Sequence, residues 1–188
     1  MTTTELFTRF QQRITAVGGE CYWLENLAQA TDVIIAHKAF EGKEHSIVVP
    51  PGFIEKPLWG NIGTQLQEKD FIVQEARSPA EVADTPAGLS NAELAIAETG
   101  SVMLAENKLE ARIVSMLTLT HFVLVKARDL FPMLDDAGTR LQQLTKAGPE
   151  QKRYISLVTG PSRTADIERT LTIGVQGPKA ICVLFIDD

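Results

Sequence analysis

Cysteine is nearly missing from this 188-residue chain: only Cys21 and Cys182 occur, far apart and among apolar or aromatic neighbours. Two such residues supply neither the paired spacing of a zinc site nor the thiolate set of an iron–sulfur cluster. No metal ligands and no cofactor are therefore expected, and the two thiols read as buried and free rather than bridged. No apolar run approaches the roughly 20 residues that a membrane helix needs. The start, Met1-Thr2-Thr3-Thr4-Glu5-Leu6, lacks a basic segment followed by an apolar core, so a secretory signal is not expected and a cytoplasmic protein is. Basic charge is also short, with 18 Lys+Arg against 24 Asp+Glu and a net charge of −6. Nonspecific binding to nucleic acid or to an anionic membrane needs the opposite balance. There is no Walker A sequence and no Gly-x-Ser-x-Gly elbow, and Gly60-Asn61-Ile62-Gly63 is not a dinucleotide fingerprint. Nothing local names a nucleotide or an acyl-enzyme.

What remains is ordinary globular material, 44% apolar and 22% charged, of a length that suits a single domain over residues 1–188. Leu6, Phe7, Phe10, Ile14 and Val17 recur at steps of three and four, so an N-terminal amphipathic helix over about residues 1–17 is expected to end at Gly18-Gly19. Short strands are expected at Cys21–Leu24, Ser46–Val49, Phe71–Val73 and Phe122–Val125, with helices over Asn26–Phe40, from Ser78-Pro79, and over Glu110–Leu117 and Leu130–Lys146. The last of these has Phe131, Leu134, Leu141 and Leu144 as core candidates. Gly52–Gly63 reads as a long irregular loop, with Trp59 as a pin to the core or a stacking surface. His37 reads as packed or surface-facing rather than as a ligand.

The runs near Val48, Leu124, Leu157 and Val183 are continuously apolar, the pattern of strands covered on both faces. Helical segments alternate with them, which predicts a three-layer α/β/α fold with a mostly parallel sheet. On that arrangement the strand ending at Val158 is parallel to the one after His121. His121 is then expected at the opposite edge from Ser162, outside any shared site.

One stretch organises the chain, Leu157-Val158-Thr159-Gly160-Pro161-Ser162-Arg163-Thr164-Ala165-Asp166-Ile167-Glu168, continuing to Gly174-Val175-Gln176-Gly177-Pro178. It reads as a strand broken at Gly160-Pro161, then a hydroxyl- and charge-rich turn opening a short helix at a strand's carboxyl end. Unpaired N–H groups of a first helical turn, the hydroxyls of Ser162 and Thr164 and the Arg163 guanidinium together suit a carboxylate or phosphate. Capping by Ser162 or Thr164, with Arg163 paired to Asp166 or Glu168, is the structural alternative. Upstream, Glu98-Thr99-Gly100-Ser101 separates two short apolar runs, as in strand, turn, strand. A carboxylate there can act as base or nucleophile, or can pair with an arginine.

These residues carry a resemblance. Gly160–Glu168 with Gly174–Pro178, and Ile96-Ala97-Glu98-Thr99-Gly100-Ser101, resemble the two signature blocks of the lactate-utilisation protein C family (LutC/YkgG, LUD-domain proteins). A weaker third block runs from Arg112 to His121, with Thr118 in place of the usual proline, and Gln176 stands where the family more often has histidine. The likeness covers about Leu89 to the C-terminus. It implies the fold shared by glucosamine-phosphate isomerase, ribose-phosphate isomerase and CoA transferases. It also implies a role in oxidising L-lactate to pyruvate, as the member without iron–sulfur clusters beside iron–sulfur protein partners. The expected ligand is a small anionic metabolite, and the ligand-binding set is Glu98, Thr99, Gly100, Gly160, Ser162, Arg163, Thr164 and Asp166, with Glu98 the catalytic candidate. Two other readings stay open: a free-standing enzyme acting on a phosphosugar or CoA thioester through Glu98, and a scaffold for iron–sulfur partners.

Overall fold

The structure is a computed structural model, and it describes residues 1–165 and 171–187. The chain opens with α1 (Thr3–Ala16), whose start is closed by a capping box between Thr2 and Glu5. Then come β1 (Glu20–Leu24), α2 (Leu27–Ile35), β2 (Ser46–Val49), α3 (Gly60–Gln67), β3 (Ile72–Glu75) and α4 (Pro79–Val82). β4 (Ala87–Asn91) is followed by β5 (Leu94–Ile96), β6 (Ser101–Ala105), α5 (Leu109–Leu117) and β7 (Thr120–Lys126). The remainder holds β8 (Leu130–Phe131), α6 (Gly138–Thr145), β9 (Ile155–Val158), β10 (Arg163–Thr164), β11 (Thr172–Ile173) and β12 (Ala180–Ile186).

Six strands form one sheet in the order β1-β12-β7-β4-β2-β3, and every pairing in it is parallel. Alternate residues go to opposite faces. Ile47, Val49, Phe122, Leu124, Cys182 and Leu184 pack on Ala30 and Ile34 of α2 and on Ile62 and Leu66 of α3. Val123, Val125, Ile181, Val183 and Phe185 face Phe10 and Ile14 of α1 together with Val102 and Leu104 of β6. Phe10 and Ile14 are 0% exposed, and removal of each from water contributes about 1.5–3 kcal/mol. Further along that face, Val48 meets Val82 of α4 and Val114 of α5. Cys21 and Cys182 are free and belong to the clusters on opposite faces, so no bridge can join them.

The layer over α1's face is not purely helical. It contains a second sheet of order β8-β5-β6-β9, in which β6 runs antiparallel to both β5 and β9. The apolar run at Leu157 is therefore not a strand of the parallel sheet. It pairs Leu157 with Met103, and its side chain is 46% exposed. Leu130–Lys146 is likewise not one helix: β8 occupies Leu130–Phe131, a 3-10 turn Asp135–Ala137, and the helix only Gly138–Thr145, with Leu134 42% exposed. Within the stretch read as an irregular loop, helix α3 already starts at Gly60, beneath the Ile54 carbonyl, where a Cβ would fall at 1.9 Å.

β4 has no signal in the sequence pattern, yet it sits in the sheet between β2 and β7. Its Gly88 has no side chain because α5 crosses directly over it. A Cβ on Gly88 would lie 2.7 Å from the Val114 carbonyl oxygen and 2.8 Å from Thr118 Oγ1.

Candidate functional site

The helix expected after Ser162–Thr164 falls largely on residues 166–170, outside the described ones. After Gly160-Pro161 the chain enters β10, pairing Arg163 with Ile173 and Thr164 with Thr172. The main chain of Ser162 donates to the Pro178 carbonyl at 2.9 Å and accepts from the Gly174 amide at 3.0 Å, which fastens the second half of the signature onto the first. Asp166, with Ile167 and Glu168, lies outside the described residues.

This loop does not stand at the carboxyl edge of the parallel sheet. β9 belongs to the smaller sheet, and its end is brought to the amino ends of β7 and β12. There a cavity of about 300 Å³ opens, bounded by Thr159, Gly160, Pro161 and Ser162 on one side and by Gln176, Gly177 and Pro178 on another. His121 and Ile181, each the second residue of its strand, form the floor with Ser115 and Met116 of α5. His121 thus joins Ser162 at one site, against the expectation from strand direction. That expectation required β9 in the main sheet.

His121 is the chemically telling member. It is 1% exposed; its Nε2 lies 2.8 Å from Ser90 Oγ, and its Nδ1 has no hydrogen-bond partner among the described residues. Burial alone pushes its pKa down to about 3, so the imidazole is neutral at physiological pH. The free nitrogen is a donor if the Ser90 hydroxyl donates to Nε2, and an acceptor if Nε2–H donates to Ser90. The ring can therefore adapt to either kind of ligand atom.

The other predicted residues divide into two groups. Thr99, Ser101 and Thr159 form a chain of hydroxyls, Thr99 Oγ1 to Ser101 Oγ at 2.7 Å and Ser101 Oγ to Thr159 Oγ1 at 2.5 Å. This chain ties the Glu98–Ser101 turn, which does lie between β5 and β6, to the cavity loop. Glu98 itself is half-buried outside the cavity lining; its amide donates to the Pro132 carbonyl, and its carboxylate has no hydrogen bond or ion pair among the described residues.

The second group grips α1. Gly100, at φ +69°, lies so close that a Cβ would come 2.6 Å from the Ile14 amide, and Gly160, at φ +74°, would meet the Val17 side chain at 2.7 Å. Arg163 donates from Nη2 to the Val17 carbonyl at the C-cap of α1, where a cation is favoured by the helix dipole. Both signature blocks thus seat the last turn of α1. Thr164 is half-buried in β10 and contributes no cavity wall. Among the described residues no cluster of three or more His, Cys, Asp or Glu is placed to hold a metal, and no helix is long and apolar enough to cross a membrane.

Comparison with known proteins identifies this architecture. The profile of the LUD domain matches residues 7–186. Lactate utilization protein C of Bacillus licheniformis is 34% identical over 131 residues, covering 69% of this chain and 54% of that protein. The Bacillus subtilis protein of the same name is 32% identical over the same shares, and that of Macrococcus caseolyticus 31% identical over 69% of this chain and 58% of its own length. The chain thus spans about half the length of the curated relatives it matches. A crystal structure of a DUF162 family protein from Deinococcus radiodurans has the same fold, with a TM-score of 0.63 and 18% identity over 99% of both chains. With the profile matched from the first helix to the last strand, the chain belongs to the LUD domain family.

Proposed function

We propose that this chain, read as one LUD domain, serves L-lactate utilisation as a subunit that binds a small anionic metabolite beside iron–sulfur protein partners. The observation that carries the site is the buried imidazole of His121, whose Nδ1 has no partner among the described residues, in a cavity walled by Gly160 and Ser162. A buried polar atom left without a partner costs about 1–3 kcal/mol, and a ligand oxygen that meets it recovers that penalty. The Ser162 hydroxyl lies on the same wall, and Arg163, one residue on, donates to the Val17 carbonyl from a guanidinium that carries five N–H donors. Glu98, beside the Thr99–Ser101–Thr159 hydroxyl chain that reaches the wall, is the candidate base. The names of the relatives support lactate as the process, and the electron chemistry of the oxidation belongs in this reading to the partners.

A thermal-shift titration with L-lactate, pyruvate, phosphate, phosphosugars and CoA tests the proposal on the wild type and on Ser162→Ala. A ligand at 100 times its Kd adds roughly 2.7 kcal/mol of stability. A shift with lactate or pyruvate that Ser162→Ala loses supports it. A response to phosphosugars or CoA alone favours the enzyme reading through Glu98, and no response to any of them leaves the loop as a partner-binding surface.

A further inference from the structure

A second cavity lies away from the signature blocks, where the loop 146–154 between α6 and β9 passes the start of α5. Its volume is about 400 Å³, and its wall includes Asn107, Arg112, Pro149, Gln151, Arg153 and Tyr154. The loop is tightly held. The Lys152 amide donates to the Leu144 carbonyl at 2.7 Å, and Gln151 Nε2 to the Thr145 carbonyl at 3.0 Å. Asn107 clamps it from the other side, giving Nδ2 to the Gln151 carbonyl and accepting the Arg153 amide on Oδ1, both at 2.8 Å. The cavity is therefore preformed, and a ligand does not have to order the loop on binding.

The charge of the wall has one sign. Segments 106–112 and 148–154 carry Lys108, Arg112, Lys152 and Arg153 against Glu106, Glu110 and Glu150, and of these only Arg112 and Arg153 line the cavity. Glu106 and Lys152 interact with each other and with Lys56. Glu110 sits in the first turn of α5, where the helix dipole favours it, and Glu150 is exposed outside the lining. Neither arginine has a carboxylate within 4 Å among the described residues. Arg112 is half-buried and already oriented, with its guanidinium 4.4 Å from the centroid of the Tyr154 ring and its Nε directed at the Lys108 carbonyl at 3.4 Å. The Nη groups of both arginines, Gln151 Oε1 and the Tyr154 hydroxyl make no hydrogen bond among the described residues.

We propose that this cavity binds a nucleoside monophosphate, with Arg112 and Arg153 holding the phosphate. A phosphate monoester carries about −1.5 to −2 charges at neutral pH, which two guanidinium groups match, and their planar forks fit its oxygens bidentately. A monocarboxylate such as lactate leaves one guanidinium unmatched. The cavity is also larger than a bare phosphate ion and falls within the size range of sites for ligands with an organic body. Tyr154, with the Arg112 plane stacked on it, supplies the kind of surface on which a nucleobase stacks, and Gln151 Oε1 and the Tyr154 hydroxyl are placed to meet ribose hydroxyls. The net charge of −6 disfavours a polynucleotide, so the ligand is a free mononucleotide. The site shares no wall residue with the His121 cavity and stands or falls independently of the reading given to it.

Equilibrium dialysis of the purified chain against labelled adenosine monophosphate tests the assignment, with adenosine, inorganic phosphate and glucose 6-phosphate as competitors. The nucleotide is expected to bind at least tenfold more tightly than each of the three. Arg153→Met, a change at an exposed side chain, should weaken it at least tenfold. Arg112→Lys keeps the charge but loses the planar fork, and should weaken it at least fivefold; circular dichroism checks that both variants are folded. Lys108→Met removes a positive charge next to the wall and should change the affinity less than threefold. No retention of the nucleotide, equal competition by phosphate or glucose 6-phosphate, or an unchanged affinity in Arg153→Met would overturn the proposal. A loss in Lys108→Met as large as that in Arg153→Met would overturn it too, since it would mark a general charge effect rather than a site.

Discussion

Acidification should destabilise the fold through His121. Its imidazole is held neutral in the fold, with a pKa lowered from 6.5 to about 3, because the ring is buried and one nitrogen has no partner among the described residues. In the unfolded chain it takes up a proton near pH 6.5, so between about pH 6.5 and 3 the unfolded state binds more protons and stability falls as pH falls. Integration between those two values gives a loss of about 0.8 kcal/mol at pH 6 and about 2 kcal/mol at pH 5, relative to pH 8. Other groups titrate in the same range, so the measurement must be a difference. Urea unfolding of the wild type and of His121→Gln, run at pH 8, 6 and 5, isolates the histidine, since glutamine does not titrate. Whatever the substitution costs at pH 8, the stability gap should move by about 2 kcal/mol in favour of the variant at pH 5. A gap constant to about 0.3 kcal/mol, within the usual precision of additive comparisons, would mean that the ring ionises equally in both states. The claim of a dry, unpartnered nitrogen would then be wrong. A ligand anion bound beside the ring should raise its folded pKa and shrink the same effect, so repeating the series with saturating ligand also tests the cavity.

Two further substitutions probe how the signature blocks and the sheet are held. Arg163→Ala removes the bond to the Val17 carbonyl and a cation at the C-cap of α1, and should cost about 0.5–1 kcal/mol in urea unfolding, with faster hydrogen exchange in the last turn of that helix; unchanged exchange at residues 14–18 would show that the contact does not hold α1. Gly88→Ala forces a methyl group to 2.7 Å from the Val114 carbonyl and should destabilise by about 1–3 kcal/mol through overpacking, read as a lowered urea midpoint; an unchanged midpoint would mean that α5 can lift away from β4.

Several elements are legible in the amino-acid sequence alone. Phe10 and Ile14 at helical spacing mark the buried stripe of α1, and the unbroken apolar runs of β2, β7 and β12 announce strands covered on both faces, because these patterns depend only on local periodicity and hydrophobicity. The Glu98–Ser101 turn between two strands is equally plain. β4 is not, since its Gly88 answers to the approach of α5, and its Ser90 to His121 of β7, rather than to strand propensity.

The sites depend on partners remote in the chain. Whether the run at Leu157 joins the parallel sheet or pairs with Met103 is decided by contacts more than fifty residues away, and that choice moves Ser162 from one edge of the sheet to the other, beside His121. The clamp of Asn107 on Gln151 and Arg153, across 44 and 46 residues, is invisible to local pattern for the same reason. Local periodicity determined α1, the core strands β2, β7 and β12 and the family signature of this protein, whereas only strand order and the direction of β9 decided which side chains share a cavity. Hydrophobicity tells a segment to be buried, but the choice among possible neighbours is settled by the packing of the whole chain.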